Sequence, residues 1–365
     1  MGIRKAREFL RHTGWDARVL AVLFLASVLV PWLALADAGT LEPQYRDHLR
    51  HMRYVDAAFE HGLGIYTAPA RSLPVVDAFG PLVWPDSPYL YPPGALLFFL
   101  PFAGAMLWLE IPGVIVCRLL ITVFLFAAHV ATYFMNAALR ARGGSAALRL
   151  LFVSLFHFGL VFWCWNAQYD AVPVALLVWA GATARPKARL GGSALAVFMK
   201  FQSLLLLPPL VVRMLANEER FRLKRSVWVL AGLLVGASLV ALWLARGSLV
   251  PAPENPLHWS HGSTSPMPWV LVALTCVAGA ADLRKRNLVA IALYVMSAGA
   301  LLAIGQLQMW HAAFLFAGAA VVPGKTTWER YAVWVIAVLL LLDWGPSVGH
   351  LTRLLQDATG FEFGL

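Results

Sequence analysis

Long apolar runs alternate with short basic clusters along this chain, and one long polar stretch interrupts the rhythm. An apolar run over residues 18–36 is followed by polar residues 37–93, which carry Asp47, Asp56, Asp77, Asp86 and the tripeptide Tyr91-Pro92-Pro93. Apolar residues return at 94–109 and 113–139, then at 150–165, 172–184, 190–212, 227–245, 269–281, 288–304, 310–322 and 331–342. About 20 apolar residues span a bilayer as a helix, so the pattern predicts an all-α polytopic membrane protein of roughly ten crossings, although several runs fall short of that length.

Lysines and arginines at the ends of the runs orient them, because short cytoplasmic loops hold an excess of both. Arg4, Lys5, Arg7 and Arg11 put residues 1–17 in the cytoplasm, and the first run, which with them could imitate a signal peptide, is read as an uncleaved span because it is long and has no obvious small-residue cleavage site. Residues 37–112 then form a first extracytoplasmic loop containing short helices. If 94–109 were a full span, Arg140, Arg142 and Arg149 would fall outside, so it is read as a re-entrant or interfacial helix opened by Pro92-Pro93. The bundle proper covers 113–344, with residues 345–365 as an extracytoplasmic tail of one transmembrane domain, 1–365. The run 190–212 has basic clusters at both ends. It fits either a hairpin with Lys200 at its tip or one span with Lys200 inside the bundle, where a lysine costs roughly 2.5–3.5 kcal/mol by insertion scales.

Composition agrees with a membrane protein: 60% of residues are hydrophobic and 13% charged, too little polar surface to cover a soluble globule. The net charge of +10 sits in loop clusters between apolar runs, which suits anionic lipid and argues against nucleic acid. Cys117, Cys164 and Cys276 lie singly in apolar runs without metal-type spacing and read as packing residues. With this topology Asp47, Asp56, Tyr91, Gln168, Tyr169, Asp170, Lys200, Gln202, His258, His261, Gln306, Gln308 and His311 gather at or near the extracytoplasmic face. Chance would scatter them.

Asp47 followed by Tyr54-Val55-Asp56-Ala57-Ala58, then Gly62, Ile65-Tyr66 and Tyr91-Pro92-Pro93, resembles the first outer loop of the C-type (GT-C) glycosyltransferases that use polyprenyl-phosphate sugars. The resemblance is to the bacterial family 87 mannosyl- and arabinosyltransferases and to GPI mannosyltransferase I. Ala167-Gln168-Tyr169-Asp170 is similar to their GQ-D turn, Met199-Lys200-Phe201-Gln202 with Pro208 to their lysine segment, and Gln306 to Trp310 to a late Q-W element. The similarity touches about three quarters of the chain.

The resemblance implies a GT-C-type helix bundle in a bacterial inner membrane. It also implies an inverting transfer of a mannose-type sugar to a glycolipid, glycan or protein on the outer face. Inversion needs a base for the acceptor hydroxyl, and Asp47 stands at about the family distance from the Tyr-x-Asp-Ala-Ala run. Asp47 fits a helix N-cap equally well, and His48 or His51 could serve as the base instead. The eukaryotic relatives carry a DxD here, whereas this chain reads Arg46-Asp47-His48-Leu49, which removes the paired acids a metal bridge would use. No metal site and no cofactor are expected, the lipid-linked sugar being a substrate. The leaving phosphate calls for cations, for which Lys200 leads, with Arg53 and Arg46 in reserve and His311 placed to reach either the phosphate or the acceptor. Tyr91, Gln168, Asp170, Gln202 and Gln308 are candidate substrate-binding residues; Asp170 could instead pair with Lys200 and orient it. Two other classes compete. A transporter or lipid flippase would show internal repeats and midplane charges, and a polyprenyl-diphosphate ligase or polymerase would carry its large outer loop late.

Overall fold

The computed structural model describes residues 17–34, 47–73, 87–141, 146–165, 167–207, 210–211, 214, 223–245, 313–314 and 317. Every regular element among them is helical. The α-helices are α1 (Ala17–Ala34), α2 (Asp47–His61), α3 (Pro93–Leu107), α4 (Gly113–Ala141), α5 (Ala146–Trp165), α6 (Ala171–Ala182), α7 (Pro186–Met199) and α8 (Arg225–Leu244). Short 3-10 turns cover Gly62–Tyr66, Ala70–Ser72 and Phe201–Leu205. The four apolar runs expected beyond residue 268 lie outside the described residues, apart from Ala313, Phe314 and Ala317, which are buried.

Two helices, α4 and α8, are long and apolar enough to cross a membrane, and shorter apolar helices occupy 18–33, 93–107, 149–165 and 171–182. α4 organises the bundle because its small and apolar residues recur on one face. Val116, Cys117, Leu120, Ile121, Phe124, Leu125, Ala128, Thr132 and Met135 are buried at the three- and four-residue spacing of a helical stripe. α1 lies antiparallel on it: Phe24 meets Phe126 and His129 edge-on at 6.0 and 5.5 Å, while Trp32 Nε1 donates to Thr122 Oγ1 at 3.1 Å. α5 joins through Thr132, whose hydroxyl donates to Ala128 O at 2.8 Å. With its one proton so used, it accepts from His157 Nδ1 at 3.0 Å.

α3 begins at Pro93, with Pro92 as its N-cap: proline's fixed φ and missing N–H suit the first helical position. α2 and α3 run parallel, since His51 stacks on Phe99 and, further along both helices, Phe59 meets Trp108. The run at 190–212 is broken at Lys200, whose backbone is extended (φ −152°, ψ 130°) and ends α7. Beyond the break Met214 shares a buried cluster with Leu190, Ala194 and Ala231, so the chain has doubled back to the start of α7. The reversal is that of the hairpin, while Lys200 itself is buried inside the bundle, as in the one-span reading. α8 then runs parallel to α7, with Ala231 in that cluster and Ser238 Oγ donating to Val197 O at 3.3 Å.

Candidate functional site

The first two turns of α2 are buried on every side although they are polar: His48, Leu49, Arg50, His51, Met52, Arg53, Tyr54 and Val55 are all inaccessible. A strap formed by Ser87 to Tyr91 covers them. Tyr54 Oη donates to Ser87 O at 2.7 Å and Arg50 Nη2 to Pro88 O at 3.0 Å, while Tyr89 N–H bonds Ile65 O at 2.8 Å. Backbone carbonyls that have no helix to serve are thereby satisfied by α2 side chains. The strap seats Tyr89 and Tyr91 against His51, whose Nδ1 is 2.9 Å from Tyr89 Oη. The His51 ring stacks on Phe99 (4.4 Å, 4°) and meets the rings of Tyr91 and Tyr169 at 4.3 and 4.9 Å.

Tyr169 belongs to the turn that opens α6. Ala167 has a left-handed backbone (φ 56°), which lets Gln168 N–H bond Trp163 O at 3.1 Å and turns the chain sharply. The Tyr169 hydroxyl then donates to Met199 O at 2.9 Å, tying this turn to the end of α7. Asp170 stands at the N-cap of α6 but makes no capping bond. Its Oδ1 instead lies 2.6 Å from Lys200 Nζ, and both side chains are almost wholly buried. The ammonium also sits 5.0 Å from the ring centroid of Tyr169 and 5.7 Å from that of Tyr91, within cation–π range. Arg50 is 5.9 Å from the same Tyr91 ring. Two cations therefore lie within cation–π range of the Tyr91 ring.

Close approach of α3 to α7 makes this possible, since a Cβ on Gly94 would overlap the Phe198 carbonyl. Glycine is the residue that fits there. Electrostatic effects reach the α2 acids and tyrosines. Burial raises the Tyr54 pKa, opposed by Arg50 and Arg53, and burial alone raises that of Tyr66. Asp56 is raised by partial burial and then by Glu60.

Of the residues the sequence singled out, Lys200, Asp170 and Tyr91 come together. Asp170 is the ion-pair partner of Lys200, one of its two expected roles. Arg53 is buried one turn beyond Arg50, Gln202 is buried on the turn Phe201–Leu205, and Gln168 is half-buried beside Tyr169. Asp47 is the first residue of α2, one turn before Arg50, and its side chain lies outside what is described, as do His311 and Gln308 entirely. Asp56 is in the third turn of α2. Sequence reasoning missed Arg50, although Arg50, Arg53 and Tyr54 share the spacing of one helix face. It also left His51 as a spare base rather than the hub of an aromatic cluster.

Among the described residues no group of three or more His, Cys, Asp or Glu side chains could hold a metal ion. The features define a helical bundle with membrane-length helices and a buried ion pair wrapped in aromatic rings. No protein-family model, curated protein or solved structure matches the chain.

Proposed function

We propose that the chain is an inverting glycosyltransferase of the bacterial inner membrane. It takes a mannose-type sugar from a polyprenyl-phosphate donor and passes it to a glycolipid, glycan or protein acceptor on the extracytoplasmic side. The observation that carries this reading is the convergence of Lys200, Asp170, Tyr91, Arg50 and His51 from four separate segments onto one buried cluster. A buried cation at a helix break suits a phosphate, and aromatic faces suit the apolar side of a sugar ring.

Asp47 takes the proton of the acceptor hydroxyl as its oxygen bonds to the anomeric carbon. The bond from that carbon to the phosphate oxygen breaks, and polyprenyl phosphate leaves with the electron pair. Lys200, held in one geometry by Asp170, stands with Arg53 and His311 to stabilise the charge that grows on the phosphate. Tyr91, Gln168, Gln202 and Gln308 contact the sugar. The same buried ion pair beside an interrupted helix favours a second reading, a transporter of an anionic lipid-linked solute.

Purified protein incubated with radiolabelled polyprenyl-phosphate mannose and a membrane lipid extract is expected to transfer label, and Asp47→Asn to abolish transfer without loss of folded protein. Uptake of label into proteoliposomes without covalent transfer would select the transporter. No transfer from any polyprenyl-phosphate sugar would sink the enzyme reading.

A further inference from the structure

The α2 helix changes character along its length, from buried and basic at its start to exposed at its end, where Phe59 stands beside Glu60 and His61. Phe59 is 68% exposed and Leu63, in the turn that follows, 64%; at the matching end of α3, Trp108 is 68% and Leu109 70% exposed. The Phe59 and Trp108 rings are 6.4 Å apart, so the two helix ends form one surface. The surface does not stop there. Only a few residues separate Leu109 from α4, on which Ile115, Leu119, Val123 and Phe126 are exposed at spacings of three and four. That stripe points away from the bundle core, with Phe24 of α1 against one edge at Phe126, and it lies on a helix long enough to cross a membrane.

We propose that the C-terminal ends of α2 and α3 form a wedge inserted in the leaflet where α4 begins, with lipid as its occupant. Continuity with the α4 stripe argues for lipid over a protein partner. Trp108 suits the headgroup boundary, where its ring is apolar and its N–H can stay wet. Glu60, His61 and Glu110, all exposed beside the apolar residues, supply the polar rim of an interfacial element. The wedge would anchor the first outer loop beside the Lys200 cluster. It rests on α4 crossing the bilayer, a part of the proposed topology, and not on the transferase chemistry.

The test uses the full chain in phospholipid nanodiscs, with an environment-sensitive fluorophore on Phe59→Cys or Leu63→Cys. Labels at Phe126→Cys and Ser72→Cys serve as bilayer and aqueous references. The described native thiols, Cys117 and Cys164, are buried, and the unsubstituted chain reports background labelling. Nitroxide-bearing lipid is expected to quench labels at 59 and 63 about as strongly as at 126, while aqueous iodide quenches them far less than at 72. If iodide reaches 59 and 63 as freely as 72 while lipid still quenches 126, the wedge is wrong and the span stands. Shielding of 59 and 63 from both quenchers would mean a protein covers them, which also overturns the proposal. Failure of lipid to quench 126 would remove the topology and the wedge together.

Discussion

Asp170 and Lys200, thirty residues apart in the chain, meet at 2.6 Å in the interior, one opening α6 and the other ending α7. Neither residue does what its position on a helix would suggest. Asp170 forgoes the N-cap bond and Lys200 breaks its helix rather than reaching for solvent. Each charge supplies the counter-charge that makes the other's burial tolerable.

Removing one partner should therefore cost more than removing both. Lys200→Met and Asp170→Asn are each expected to destabilise by about 3–5 kcal/mol, and the double variant Lys200→Met/Asp170→Asn by less than either alone. Thermal unfolding in detergent measures this. Additive losses would show that the pair is not energetically coupled, and the stable double variant should still lack transfer activity.

Gly94→Ala is expected to separate α3 from α7, because its methyl would overlap the Phe198 carbonyl. Overpacking of this kind costs about 1–3 kcal/mol. A lowered unfolding midpoint with reduced activity is the expected pair of results; an unchanged protein would mean that the helices do not approach so closely.

Ala167 has φ 56°, a conformation costing an L-residue roughly 1–2 kcal/mol. Ala167→Gly relieves that strain but loses a buried methyl worth about 0.8 kcal/mol and adds unfolded-state entropy, so near-neutral stability is expected. Ala167→Val, β-branched at the same backbone, is expected to destabilise markedly. Equal tolerance of both by circular dichroism melts would contradict the left-handed turn.

Asp56 has a raised folded pKa, so the native state binds its proton more tightly than the unfolded state does. Stability linked to this group is thus greatest at low pH and declines as pH rises from the ordinary carboxyl value of 3.8 through the folded pKa. Asp56→Asn is expected to flatten the unfolding profile in that window and to leave neutral-pH stability equal or slightly higher. A steeper profile in the variant would reverse the sign and refute it.

Much of the helix layout was legible in the sequence. The expected starts at 94, 113, 172 and 227 fall within two residues of Pro93, Gly113, Ala171 and Arg225, because hydropathy and proline chemistry act locally. The partners within the cluster were less legible. Lys200 and Tyr91 stood out because a cation in an apolar run and a Tyr-Pro-Pro step are conspicuous on their own. Arg50 did not, since one arginine among the charges of a polar helix looks like a solvated residue until the strap at Ser87 to Tyr91 covers it.

By itself, the sequence determined the apolar helices, their approximate ends and the two ways of reading the run around Lys200. Those depend on how each short segment partitions between water and an apolar medium. Tertiary structure decided that the run doubles back, that Asp170 meets Lys200, and that Lys200 and Arg50 both come within cation–π range of Tyr91. These outcomes depend on close approaches such as Gly94 against Phe198, where the shape of one segment sets the place of another far along the chain.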